Sequence, residues 1–318
     1  EDINSASYAL TVQRAVERVW LPKLRAVIAS LTQLAEEHRD AVMLSRTHGQ
    51  PATPSTMGKE LAVFAWRLQR VAGQIEGGEY LAKFSGATGT WSAHLAAEPD
   101  VDWPALSRGF IEGLGIGFNE LTTQIESHDW QVELYDRVRH AGGILHNLAT
   151  DVWTYISMGF FAQIPVAGAT GSSTMPHKIN PIRFENAEAN LEIAGGLFTT
   201  LGATLVTSRQ QRDLTDSTTQ RNIGVAFGHS LLALDNLQRG LTEISLSRDV
   251  LLADLDANWE VLAEAIQTVV RAEIVAGRSQ ITDPYALLKD LTRGRRVGAP
   301  ELAEFVNGLD IGDAAKQR

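Results

Sequence analysis

Apolar side chains return every three or four positions along most of the chain, the period of helices that bury one stripe. Val12, Val16, Val19, Leu24, Val27, Ile28, Leu31 and Leu34 predict one helix over residues 6–38. Pro22 lies inside it and is expected to bend it or to start a new turn, because proline has no N–H to donate. Leu61, Phe64, Leu68, Val71 and Ile75 predict a second helix from about Ser55. Leu134, Val138, Ala141, Leu145, Leu148, Val152 and Ile156 predict a third over 128–160. That helix contains Gly142 and Gly143, which cost helix propensity and suggest close packing against a neighbour. Further helices are expected over 102–115, 183–206 and 217–244. Shorter ones occupy 245–318, broken at Asp283-Pro284 and Gly294. Residues 41–54 and the glycine-rich 77–100 interrupt the pattern, and no segment alternates with the period of a strand.

The expected fold class is therefore all-α: a bundle of long helices and a smaller helical piece at the C-terminal end. Helices of about 30 residues reach about 45 Å. Such lengths favour an oligomer in which partner subunits cover the second face.

Composition narrows the function classes. The 318 residues carry 38 acidic and 28 basic side chains, a net charge of −10. That balance argues against a broad nucleic-acid surface, though not against a small basic pocket for an anion. There is no cysteine, which excludes disulfides, thiolate metal sites and thiol nucleophiles. No apolar run approaches the roughly 20 residues that span a bilayer, so no membrane partner is expected and the cytoplasm is the default.

Four polar segments interrupt the helices: "SRTHGQPATPST" around His48, "TTQIESHDW" with Gln124, "GATGSSTMPHKINPIRFEN" over 168–186, and "SRQQRDLTDSTTQRN" over 208–222. Each alone has a bland explanation. A lone loop histidine is more often solvated than catalytic. Gln124 suits a helix cap, and a charged run such as "RQQRD" is usually an exposed face. The third segment holds more. Gly168 and Gly171 allow hinges, Ser172 and Ser173 bring hydroxyls, and Lys178 and Asn180 bring a cation and amide donors. That set suits charge building on a carboxylate oxygen. Its glycine–lysine spacing is wrong for a P-loop, and it lacks the ligand spacing of a metal site. In the fourth segment, Arg212, Ser217 and Arg221 fall at i, i+5 and i+9. If Ser217 caps a helix, two guanidiniums and a hydroxyl can clamp a phosphate.

In combination these segments resemble the fumarase/aspartase superfamily. "GSSTMPHKINP" is similar to its signature loop and "SRTHGQPATP" to its histidine segment. "EDINSASYAL" is similar to the tail of its first shared region. With "TTQIE" and "QRDLTDST", the resemblance points to the bacterial branch that cleaves succinylated purine nucleotides, and it runs the length of the chain. It implies a cofactor-independent, metal-free β-elimination of fumarate from adenylosuccinate, giving AMP, and from SAICAR, giving AICAR. Under it Ser172 is the general base. His48 protonates the departing amine, and Glu185 pairs with that histidine. Lys178 and Asn180 hold the carboxylate, and Thr47 and Gln124 bind substrate. Arg212, Ser217 and Arg221 form the phosphate site. Spacing alone does not choose between Ser172 and Ser173.

The resemblance also implies a homotetramer with active sites shared between subunits. It gives a domain plan of 1–8 as the remnant of an N-terminal domain otherwise lacking here, 9–244 as the central bundle, and 245–318 as a shortened C-terminal helical domain. Two alternatives stand beside it. One is another lyase of the superfamily, acting on argininosuccinate, aspartate, malate or carboxymuconate. The other is a non-catalytic structural relative. The Arg212–Ser217–Arg221 set argues for a phosphate-bearing substrate, and Ser172, Lys178, Asn180 and His48 together argue for catalysis.

Overall fold

A computed structural model describes residues 1–165, 175, 178–292 and 297–317. The chain divides into two compact units, one joining 1–33 to 62–245 and the other joining 34–61 to 246–318.

The first helical run is Asp2–Ala15, a π-helical turn Val16–Trp20, and Leu21–Glu37. Pro22 cannot donate to the carbonyl four residues back, and its ring crowds that carbonyl. The wide π turn just ahead of it absorbs the misfit, so the helix continues rather than stopping. The wide turn also moves the buried stripe. Val19, expected inside, is 51 % exposed, and Trp20 takes its place at 1 %. The Trp20 indole N–H donates to Ser230 Oγ at 2.8 Å, which satisfies the one polar atom that its burial would strand.

Three long helices make the centre of this unit: Asp129–Ser157, Ile182–Leu205 and Ile223–Thr242. The middle one packs against both others. The predicted stripe from Leu134 to Val152 is buried, and Ile156 is half-buried. Tyr135, Phe198 and Phe227 meet between the helices, with ring centroids 5.1–6.2 Å apart. The close approach anticipated at Gly142 and Gly143 lies elsewhere. A Cβ on Gly142 would meet Leu191 at an ordinary 3.7 Å, whereas one on Gly240 would come within 2.9 Å of the Phe184 ring. The helix expected over 217–244 is two, Thr215–Gln220 and Ile223–Thr242, with Arg221 and Asn222 between them. Residues 77–100 hold more structure than a loop. Leu81–Ala82 pairs in parallel with Gly117–Phe118, and Ser92–Ala97 is helical. Among the described residues no helix is long and apolar enough to cross a membrane.

The second unit departs from an all-helical expectation in a hairpin. Val42–Thr47 and Gln50–Thr56 form an antiparallel hairpin with an irregular register between Leu44 and Arg46. Pro51 and Pro54 obscure it in the sequence, yet a two-stranded ribbon leaves each strand an open edge where proline is tolerated. Helices Arg248–Asp256, Ala263–Val275, Pro284–Thr292 and Ala299–Asn307 come after it in this unit. The break expected at Asp283-Pro284 falls between helices, with Pro284 beginning the second, and Asp283 Oδ1 accepts the Tyr285 and Ala286 N–H groups ahead of it. Gly294 lies outside the described residues. Val270, Leu309, Ile311 and Ala315 form a small core here.

Gly58, at the start of the helix Met57–Glu76, lies against the end of Leu21–Glu37. A Cβ there would sit 2.3 Å from the Ala35 carbonyl oxygen and 2.6 Å from Arg39 backbone atoms. Alanine in a helix gains about 1 kcal/mol over glycine in propensity, but overpacking against rigid backbone costs about 1–3 kcal/mol. Gly58→Ala is therefore expected to lower the unfolding midpoint in urea. A midpoint at or above that of the parent protein would show that the two helix ends move apart freely.

Candidate active site

His48 occupies the tip of the hairpin. A two-residue hairpin loop of type I′ needs φ > 0 at both positions. His48 has φ 54° and Gly49 has φ 72°. A left-handed conformation is unusual for a residue with a Cβ, and such conformations gather at functional sites. Next to the turn, the hairpin is held by a bidentate ion pair, Arg46 Nη1 and Nη2 to Asp254 Oδ2 and Oδ1 at 2.8 and 2.7 Å. That pair raises the Arg46 pKa. Thr47 and His48 are thus exposed side chains on a braced turn.

Ser172 and Ser173 lie outside the described residues. Lys178 is exposed, and its N–H donates to the Met175 carbonyl at 3.0 Å. Gln163 Nε2 donates to the Ile179 carbonyl at 2.9 Å, tying this stretch to the strand Phe161–Gln163. Asn180 is half-buried, and Pro181 leads into Ile182–Leu205. Glu185 falls in the first turn of that helix, where a carboxylate meets the positive end of the dipole. Its Oε1 accepts the Trp153 indole N–H at 3.1 Å.

Gln124 and Arg212 are brought together, with Arg212 Nη1 3.4 Å from Gln124 Oε1. The same nitrogen donates to Glu1 Oε1, and Nη2 is 3.9 Å from Asp216 Oδ1. Ser217 is not a cap. It is the third residue of Thr215–Gln220, and Asp213 Oδ1 takes the Thr215 N–H at 2.8 Å instead. Arg221 ends that short helix with an exposed side chain.

Beneath Gln124 and Arg212 lie buried charges that the sequence pattern did not single out. Lys83 has a fully buried side chain. Its ammonium donates to Asp2 Oδ1, to the Gly86 carbonyl at 2.9 Å and to the Gln124 carbonyl at 3.1 Å. Asp2 also accepts the backbone N–H groups of Ser85 and Gly86. All three lysine protons are committed, so this group is a strut rather than a reagent. Beside it lies a cavity of about 1030 Å³, lined by Glu1, Lys83, Phe84, Phe110 and Gln124 among others. That is room for a small molecule.

His128 is buried, again with a left-handed backbone, φ 63°. Asp216 Oδ2 faces its Nε2 at 3.6 Å. Burial pushes the Asp216 carboxyl up, but His128, the Ser217 N–H and Arg212 outweigh it and hold the group below its ordinary value. Glu126 is fully engaged, accepting from Asn119 Nδ2, the His128 N–H and Trp130 Nε1 at 2.7–3.0 Å. The available signals were faint: one lysine between apolar neighbours in "AKFSG", and a histidine flanked by acids in "ESHDW".

The family models that match are described as "Lyase", over residues 1–194, and "Adenylosuccinate lyase C-terminal", over 208–318. The chain is 50 % identical to an adenylosuccinate lyase of Vibrio cholerae over its whole length, covering 69 % of that protein. Against the adenylosuccinate lyase of Escherichia coli the identity is 48 %, with all of this chain and 68 % of the relative covered. Against that of Dictyostelium discoideum it is 43 %, with 99 % and 68 % covered. Among solved structures, a fumarate lyase from Mesorhizobium matches with TM-score 0.72 at 20 % identity, covering 99 % of this chain and 71 % of that one. A class II fumarase from Schistosoma mansoni matches with TM-score 0.72 at 19 % identity, covering 97 % and 67 %. At these identities the two structures speak for the fold.

Removing one partner of a buried ion pair strands the other. Lys83→Met is expected to cost on the order of 3 kcal/mol of stability, and adding Asp2→Asn should recover part of it. Unchanged stability of Lys83→Met in urea melts would show that the ammonium does not hold this corner together.

Proposed function

We propose how this chain works from one premise: it belongs to the adenylosuccinate lyase family. It is a carbon–nitrogen lyase of purine biosynthesis that releases fumarate from adenylosuccinate and leaves AMP. The same elimination turns SAICAR into AICAR. The roles of individual residues are our assignment.

Ser172 removes a proton from the carbon beside the succinyl carboxylate. The electron pair passes into that carboxylate as an aci-dianion, and Lys178 and Asn180 stabilise the added charge. Collapse of the dianion forms the carbon–carbon double bond of fumarate and breaks the carbon–nitrogen bond. His48 gives its proton to the departing nitrogen, with Glu185 orienting the imidazole. A serine hydroxyl is a weak base near neutral pH, so neighbouring cationic charge has to activate it, and Lys178 supplies that charge. Thr47 and Gln124 bind substrate. Arg212, Ser217 and Arg221 receive the nucleotide phosphate.

The observation that carries the nucleotide assignment is the meeting of Arg212 with Gln124 beside a cavity of about 1030 Å³. Guanidinium held near an amide in a concave site suits an anionic, hydrogen-bonding ligand. Simple dicarboxylates would leave a phosphate clamp unused. We further assign the enzyme to the cytoplasm and its working form to a homotetramer with shared sites, in which His48 and Glu185 pair. Exposed Ile3, Leu121, Ile182 and Leu214, each more than 60 % exposed, support subunit contacts.

Two measurements test this. Fumarate release from adenylosuccinate should fall by several orders of magnitude in kcat for Ser172→Ala, with substrate affinity largely kept, and activity should follow the tetramer in light scattering. Near-normal turnover of Ser172→Ala removes that serine from the mechanism, and an active monomer removes the shared site. Second, Arg212→Ala and Arg221→Ala should each weaken AMP binding by roughly ten- to a hundredfold at fixed ionic strength, the worth of one charge-assisted hydrogen bond. Native affinity in both variants would put the phosphate elsewhere.

A further inference from the structure

A line of buried polar groups runs from the helix core to Arg212. Tyr135 Oη donates to Gln131 Oε1 at 2.9 Å, which turns the Gln131 amide so that Nε2 faces His128 Nδ1 at 3.3 Å. An amide nitrogen can only donate, so His128 Nδ1 accepts and its ring proton sits on Nε2. His128 Nε2 lies 3.6 Å from Asp216 Oδ2, and Asp216 Oδ1 lies 3.9 Å from Arg212 Nη2, while Glu1 and Gln124 engage Arg212 through Nη1. Tyr135, Gln131, His128 and Asp216 are all more than nine-tenths buried.

Three atoms at the end of this line, His128 Nε2, Asp216 Oδ1 and Arg212 Nε, have no hydrogen-bond partner among the described residues. Buried polar groups are rarely left so, and catalytic contacts that stand long without substrate commonly tighten when it binds. His128 also holds a left-handed backbone directly before the helix Asp129–Ser157, and such strain marks a position fixed by its surroundings. The mechanism above uses neither His128 nor Asp216.

We propose that His128 is a positioning residue for nucleotide binding: its Nε2–H fixes the Asp216 carboxylate, which holds the Arg212 guanidinium in the orientation that receives the phosphate. This rests on the assignment of Arg212 to the phosphate. Asp216 has two opposed effects on a bound phosphate, since it aims the arginine and also repels the anion. Aiming dominates if the line matters, because the planar guanidinium binds an anion well only when its fork is correctly turned.

The test measures AMP and adenosine affinities of the protein by titration calorimetry. His128→Leu removes the donor and should weaken AMP about tenfold while leaving adenosine, which has no phosphate, unchanged. His128→Gln places an amide N–H near the Nε2 position and should stay within about threefold of native. Asp216→Asn keeps the shape of the side chain, reports on the same line if His128→Leu fails to fold, and should also weaken AMP. In an Arg212→Ala background neither change should weaken AMP further. Equal losses for AMP and adenosine would mean a structural role only. Native AMP affinity in His128→Leu, stronger AMP binding in Asp216→Asn, or additive losses with Arg212→Ala would each overturn the proposal. Native AMP affinity in Arg212→Ala alone would overturn the phosphate assignment, and this line with it.

Discussion

An ammonium group with no exposed surface has to be paired completely, and Lys83 meets that constraint with one carboxylate and two carbonyls. The three acceptors come from Asp2, Gly86 and Gln124, far apart in sequence. Satisfying one buried charge therefore fixes the first helix, the glycine-rich segment after Leu81–Ala82 and the backbone of Gln124 in one arrangement. Gln124 gains from this twice. Its carbonyl is held by Lys83, its N–H donates to the Gln211 carbonyl at 3.3 Å, and its side chain is left to meet Arg212. Order at the candidate site thus begins with the desolvation of a charge beneath it.

The helical framework was legible because its cause is repetitive. A stripe such as Leu134–Val138–Leu145–Leu148 carries its own period, and a bundle forms wherever such stripes are long. The departures occur where a single backbone event overrides the period. One wide turn before Pro22 exchanges Val19 for Trp20 on the buried face. The hairpin around His48 was hidden by two prolines and by the absence of alternation, since one short ribbon has little face to bury. Close glycine contacts between helices occur at Gly58 and Gly240, where no sequence rule distinguishes them from Gly142.

The candidate site was legible in a different way. Candidate residues such as His48, Lys178 and Arg212 each lie in a polar segment that interrupts helices, and interruption is visible in one dimension. Its buried supports are not. Lys83, His128 and Asp216 owe their roles to partners dozens of residues away, and a charged residue on its own reads as a solvated face. Only the folded chain shows that these charges are out of water.

The turn at His48 joins two demands that are usually separate. Under the role proposed for His48 the position needs an imidazole as well as a left-handed backbone, and among residues with a Cβ only a few short polar types adopt that backbone readily. The role proposed for His48 therefore constrains shape and reactivity together. Any replacement that disturbs the φ of 54° also disturbs the pairing of Thr47 with Gln50 on either side. Asparagine, which tolerates the left-handed region, is the substitution that removes the ring and leaves the ribbon as it is.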